Sequence, residues 1–432
     1  MKIMSSVNRP LNTDKKEWIL HVDGDAFFAS VEVSRRPDLF DKPVVVGEER
    51  GIATALTYSA KALGVKRGDP IFKIRKEYPQ VTILTSHFEL YRKFSKNLSL
   101  IISPQVDSFE TYSIDEGFAV IVGTESEVRE KVTSIKKEVQ AKLGITYSFG
   151  VGKTKTLAKV ASKRNKPNGL CFLFTKEEIE TALKTTQAKD IWGVGFATAK
   201  KLHLRNIQTA FEFTNLDLKA TLKDSARPLY QTQEELRGER HFDVGGSNPH
   251  QKTLQATRSF IKKTNDLKTI LSELSRNVEN ACRELYESGL YTNKLMFFIK
   301  GKDKSTQSIW MDISLAYFTQ NPSVILKEIE QRFDESQKAL PGIYRSSGVV
   351  LLNLCLEQDL PQDLFNSQIE ATKSENKLLK AIDIIRRKSG FGAIQLAGSM
   401  DANERRGIES DKRDAKDNYE YGLPFPFLGV VS

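Results

Sequence analysis

The chain has 432 residues, a formal net charge of +10 and three cysteines. That length is too great for one core and predicts about three to four domains, and the positive balance suits a polyanionic partner, nucleic acid or an acidic membrane surface. Cys171, Cys282 and Cys355 are far apart and lack metal-ligand spacing, no apolar run approaches the ~20 residues of a membrane span, and residues 1–17 carry no signal core, so the expectation is a cytoplasmic protein with no disulfide framework and no membrane partner.

Residues 18–26 predict a first strand, in which Ile19 to Val22 run into Asp23-Gly24-Asp25. Helical spacing follows from Phe27 to Val33, then a strand at Pro43–Gly47, and residues 51–67 combine small side chains with Tyr58 and Lys61. Phe88 to Ser103 predicts a helix with Leu90, Phe94, Leu98, Ile101 and Ile102 on one side. The alternation Val106, Ser108, Phe109, Tyr112, Ile114 and the run Phe118–Val122 predict a hairpin with Asp115-Glu116 at its bend. An acidic pair alone reads as a solvated turn. Two such pairs at adjacent strand ends supply three or four hard oxygen ligands, enough for two Mg²⁺ ions about 3.5–4 Å apart and for phosphoryl transfer.

Glu125 to Leu143 predicts a charged amphipathic helix, and Thr146–Gly152 a strand leading into a further helix. Gly152-Lys153-Thr154 is not a phosphate-binding P-loop, because Tyr147 stands where that motif needs glycine. Residues 190–204, with Gly193-Val194-Gly195 as their turn, resemble a helix-hairpin-helix, whose backbone N–H groups grip phosphate without reading sequence. Gly245 to Pro249 reads as a linker. Beyond it a βαββαβ order is predicted: strand 253–260, helix 266–288, strands 294–299 and 308–315, helix 322–338 and strand 348–356. Arg258 on the first of these strands and Lys262 just beyond it are candidate phosphate contacts, with a solvated basic edge as the bland alternative. A helix is expected at Lys377–Arg387, and the charge-dominated residues 401–420 read as disordered.

The strings Val22-Asp23-Gly24-Asp25-Ala26-Phe27-Phe28-Ala29-Ser30-Val31-Glu32 and Ser113-Ile114-Asp115-Glu116 resemble the Y-family of translesion DNA polymerases. The resemblance spans roughly residues 18–400 and implies an α+β right hand: palm 18–26 and 88–175, fingers 27–87, helical thumb 176–247, a little finger at 253–357 and a tail at 358–432. It implies template-directed, error-prone synthesis past damage from deoxynucleoside triphosphates on primer-template DNA. Asp23, Asp115 and Glu116 take the places of the catalytic carboxylates, and the Gly24 carbonyl completes the site for two Mg²⁺ ions. Phe28 falls at the nucleotide sugar as the steric gate, and Phe27 joins it among the nucleotide-binding residues; Tyr58, Lys61 and Lys166 fall at the triphosphate. Asp25 is left out of the ligand set. Leu364-Phe365 resembles an imperfect sliding-clamp segment.

Arg36-Pro37-Asp38-Leu39 and Ala60-Lys61-Ala62-Leu63-Gly64 point to the UmuC-like branch, which implies a UmuD-like accessory protein and a recombinase filament. Tyr58 is more DinB-like, which leaves open a polymerase that works alone. A non-catalytic DNA-binding scaffold is the alternative of another class, against which the intact carboxylates speak. A nucleotidyl cyclase shares the palm but would lack the thumb motif and the little finger.

Overall fold

The apolar run of strand β1 (Lys16–Gly24), central in a five-stranded sheet, is buried on both faces because helices pack against each side of that sheet. The computed structural model describes residues 15–218, 227–245, 251–303, 305–336, 342–361, 367–389 and 393–405. It divides into two units between Ser247 and Asn248, within the Gly-Ser stretch. In the first unit β5 (Ser108–Thr111), β6 (Glu116–Gly123), β1, β7 (Tyr147–Gly152) and β8 (Leu170–Phe172) follow one another across the sheet. All pairs are antiparallel except β7 with β8.

Alternation sorts the two faces. Trp18, Leu20 and Val22 point into a core with Val31 of helix α1 (Phe27–Ser34), Leu90, Phe94 and Leu98 of α4 (Phe88–Ile102) and Val128, Val132, Ile135 and Val139 of α5 (Glu125–Leu143). The three- and four-residue spacing of those apolar positions is what makes each helix bury one side. A Thr124/Glu127 capping box starts α5, and Gly144 at φ 67° ends it. Ile19 and Phe118 face the other way, onto Ala158 of α6 (Lys155–Arg164). That helix sits so close that a Cβ on Gly150 would lie 2.1 Å from the Ser162 nitrogen, so only glycine fits there.

Between α1 and α4 lies a small body with its own core, Val45, Leu56, Ala60, Val65, Ile71 and Ile74. Its sheet has the order β3-β2-β4 (Ala55–Leu56, Val44–Val46, Thr82–Leu84) and carries α2 (Tyr58–Ala62) and α3 (Ile71–Glu77). The strand expected at 43–47 is shorter, since Pro43 has no N–H to donate and Gly47 turns out at φ 126°. After β8, α7 (Lys176–Thr185), α8 (Phe196–His203), α9 (Ala210–Thr214) and the helix Arg227–Arg237 share a third core around Ala182, Leu202, Phe213 and Leu236.

The second unit follows the expected element order. Its sheet runs β11 (Ile309–Thr319), β10 (Leu290–Gly301), β12 (Tyr344–Leu352), β9 (Leu254–Thr264), all antiparallel, with the short β13 (Cys355–Leu356) on β10. Helices Leu267–Glu287 and Pro322–Ser336 cover one face, where Leu295, Phe297, Ile313, Val349 and Leu351 pack. Two expectations need correction. The last strand begins at Tyr344, before the predicted 348, and breaks after Leu352 because Asn353 takes a left-handed φ of 50°. The start of the charged segment at 401 is packed: Ala402 is buried and its nitrogen donates to Ser272 Oγ at 3.0 Å.

Glu235 joins the third core of the first unit to α6. It is fully buried; Oε2 accepts from Thr156 N at 2.9 Å and Thr156 Oγ1 at 3.1 Å, and Oε1 from His241 N at 2.9 Å and Phe242 N at 3.0 Å. Glu235→Ala strands four donors and should lower unfolding stability by about 2–4 kcal/mol, with a smaller loss for Glu235→Gln. Urea unfolding measures both, and equal midpoints for all three chains would refute the assignment.

Candidate active site

Register places the carboxylates. Asp23, next to last in β1, pairs directly with Glu116, the first residue of β6, and His21 pairs with Phe118, so His21, Asp23 and Glu116 share the face covered by α6. One ligand atom from each of His21, Asp23 and Glu116 falls within 4.8 Å of the others. Asp115 occupies the turn just before β6; its carbonyl accepts from Gly24 N at 2.9 Å and its Oδ1 from Ser113 Oγ at 2.5 Å. Asp115 lies outside the three-residue set, yet its carboxyl is pushed up, by burial first and then by the charges of Asp23 and Glu116.

Two lysines neutralise the cluster. Lys159 of α6 donates to Glu116 Oε2 at 2.5 Å, and Lys166, on the turn after α6, donates to Asp23 Oδ1. Burial alone would raise the Glu116 carboxyl; hydrogen bonds from His21 and Lys159 outweigh it and bring it down to about 2. His21 is buried and its imidazolium is disfavoured by that burial, so the ring is neutral. An ionised Glu116 only accepts, so His21 carries a proton on Nε2, 3.0 Å from Glu116, while Nδ1 lies 2.7 Å from Ser162 Oγ, which also donates to the Lys159 carbonyl at 3.1 Å.

Asp25 has a different environment. It is buried, Ser148 Oγ donates to Oδ1 at 2.8 Å and Asn168 N to Oδ2 at 2.7 Å. Tyr58, Lys61 and Lys166 gather beside it: Lys61 Nζ lies 4.2 Å from the Tyr58 ring centroid. Burial, then the charges of Asp25 and Asp23, push the Tyr58 hydroxyl up to about 12, while burial and the neighbouring Lys166 lower the Lys61 ammonium. Phe28 is half-buried and stacks on Tyr91 at 4.3 Å with 12° between the planes. Phe27 is only 3% exposed and packs in the core beside Tyr91 and Tyr147, so its ring does not line the site.

The remaining candidates fall elsewhere. Gly193 turns at φ 86° and Gly195 precedes α8. Before that turn lies one short helical turn, Ala188–Asp190, and Gln187 just ahead of it pairs with Thr209 as an isolated bridge. Arg258 and Lys262 are exposed on β9, at the sheet edge of the second unit. Leu364 and Phe365 lie outside the described residues. Sequence reasoning missed His21 and Lys159. His21 stands two positions before Asp23 and so on the same strand face, which is a usable signal; Lys159 is one of many lysines in α6 and gives none.

Carboxylates at adjacent strand ends, flanked by lysines and an aromatic shelf, are the equipment of a nucleotidyltransferase of the DNA polymerase class. Residues 22–163 match the impB/mucB/samB family and residues 251–364 match that family's C-terminal domain. DNA polymerase IV of Protochlamydia amoebophila is 31% identical over 300 residues, 67% of this chain and 85% of that one. Protein UmuC of Salmonella typhimurium is 26% identical over 392 residues, covering 87% and 92%. Among solved structures, a Y-family DNA polymerase chimera of Dbh and Dpo4 has the same fold, with a TM-score of 0.65 at 24% identity, covering 79% of this chain and all of that one. The chain belongs to the impB/mucB/samB family, the Y-family of translesion DNA polymerases.

The lowered Glu116 carboxyl makes a pH prediction. Its folded value lies below that of an unfolded glutamate, so the stabilisation is present above about 4.5 and is lost as pH falls toward about 2. In that window the urea midpoint of the parent should fall more steeply with pH than that of Glu116→Gln. Parallel slopes would show that Glu116 is not held ionised.

Proposed function

We propose that Asp23, Asp115 and Glu116, with the Gly24 carbonyl, hold two Mg²⁺ ions for error-prone, template-directed nucleotidyl transfer. The observation that carries this is the Asp23–Glu116 register pair, with Asp115 close enough to feel both charges. The donor set fits the metal: the carboxylates are hard oxygen ligands, and the Lys159 and Lys166 ammoniums sit on the oxygens a cation would take. His21 is not a ligand in this reading, since its Nε2 proton faces Glu116 and orients that carboxylate. Held by these residues, Mg²⁺ would supply activation of the primer 3′-hydroxyl and charge neutralisation on the triphosphate. Lys166, Lys61 and Tyr58 bind that triphosphate, and Asp25 anchors the turn that carries Lys166. Asp115→Asn and Glu116→Gln should each abolish primer extension and leave primer-template affinity within about twofold, because affinity comes from dispersed phosphate contacts. Extension by either variant would refute the two-metal reading.

The reading assigns the large sheet, α4, α5 and α6 to the palm, the β3-β2-β4 body to the fingers, the helices after β8 to the thumb, and the second unit to the little finger. Duplex phosphates then meet the Gly193-Val194-Gly195 turn and the β9 cations Arg258 and Lys262. A sliding clamp at Leu364 and Phe365 rests on sequence alone. A UmuD-like accessory protein and a recombinase filament follow from the likeness to UmuC. The DNA polymerase IV relatives support a second reading, a DinB-like enzyme active alone, and full activity of the purified chain without partners selects it.

Phe28 is the steric gate in this reading. Its ring is supported from behind by Tyr91, and a 2′-hydroxyl would overlap it. Phe28→Ala should raise ribonucleotide insertion at least about tenfold relative to deoxynucleotide insertion while keeping substantial deoxynucleotide activity. Loss of both activities together with a lowered Tm would make Phe28 a core residue instead.

A further inference from the structure

The face of the second unit's sheet opposite helices Leu267–Glu287 and Pro322–Ser336 carries a feature that the polymerase chemistry does not use. Trp310 on β11 and Phe298 on β10 are register partners, with ring centroids 4.7 Å apart and planes inclined by 31°. Phe298 is 5% exposed and serves as the support; Trp310 is 50% exposed and lies on top. On the far side of Phe298, its β12 partner is Gly348, where a Cβ would stand 2.5 Å from Phe298 Cζ, so the missing side chain lets the ring lie flat across the sheet. Lys300 extends its ammonium over both rings, 4.8 Å from the Phe298 centroid and 5.5 Å from that of Trp310. Of the chain's three tryptophans, Trp18 is buried and Trp192 half-buried, so Trp310 is the exposed one.

A large, exposed, rigidly backed aromatic ring with a cation at its edge is what an unpaired nucleobase recognises: the ring supplies a stacking surface and the ammonium meets the adjoining phosphate. Within a duplex both faces of each interior base pair are already stacked, so the surface cannot stack along a duplex as it can along an unpaired strand. We propose that Trp310, backed by Phe298 and edged by Lys300, is a base-stacking platform for single-stranded nucleic acid. It is separate from the β9 edge cations. The proposal rests on the polymerase reading only for the origin of the strand, which is template DNA without its complement.

The test uses the full chain and fluorescence anisotropy with a labelled oligothymidine of about 20 nucleotides, beside a blunt duplex of the same length. Trp310→Ala should weaken oligothymidine binding about tenfold, Trp310→Phe less, and neither should shift blunt-duplex affinity. Lys300→Gln should reduce the salt slope of oligothymidine binding by about one charge. Oligothymidine should quench tryptophan emission in the parent and not in Trp310→Phe, which retains Trp18 and Trp192. Unchanged oligothymidine affinity in Trp310→Ala overturns the proposal and leaves the surface to a protein partner. An equal loss on blunt duplex overturns it in favour of a duplex contact. Binding is read without catalysis, so a chain that fails to extend primers yet shows the Trp310 dependence overturns the polymerase reading and leaves the platform standing.

Discussion

The β1–β6 register is the constraint on which the first unit depends. Cross-strand partners lie about 4.5–5.5 Å apart, a separation at which two carboxylates repel. Pairing Asp23 with Glu116 therefore requires cations delivered to fixed points, and α6 and the turn after it deliver them. The placement of α6 has its own requirements. Gly150 permits its approach to β7, Thr154 caps it, and Glu235 binds the Thr156 nitrogen in its first turn. A residue as remote in sequence as Glu235 thus fixes the helix whose Lys159 neutralises Glu116.

His21 extends the same logic. A neutral imidazole between Ser162 and Glu116 adds a directed donor without adding charge, so it orients the carboxylate and leaves its charge uncancelled. Burial keeps the ring neutral, and a protonated ring here would compete with a divalent cation for the same oxygen.

How much of this is legible in the sequence follows from how local each cause is. Strand β1, the α4 and α5 stripes and the βαββαβ order are written in apolar periodicity, and the observed elements follow it closely. Element ends are set by single backbone events, such as Gly47 and Asn353 with positive φ, which periodicity does not encode. The Gln187–Thr209 bridge beside the helix-hairpin-helix is a contact between segments that periodicity does not encode. The acidic residues are legible as pairs, but the lysines that neutralise them and the Gly348–Phe298–Trp310 row arise only when distant strands meet.

Asp23 and Asp25 show why spacing alone does not assign a ligand. Both lie at the end of one strand and both are near Lys166, which stands 3.6 Å from Asp25 Oδ1. Asp25 is held by the buried Ser148 hydroxyl and the Asn168 backbone N–H, two donors fixed by the fold. Asp23 is held by the end of a lysine side chain, a strong but mobile donor on a four-carbon stem. In the proposed reading, a triphosphate would give that ammonium an alternative partner and free the Asp23 oxygen for a cation. The exchangeable carboxylate is the one fit for chemistry, and the fixed one holds the turn from which the exchange is made.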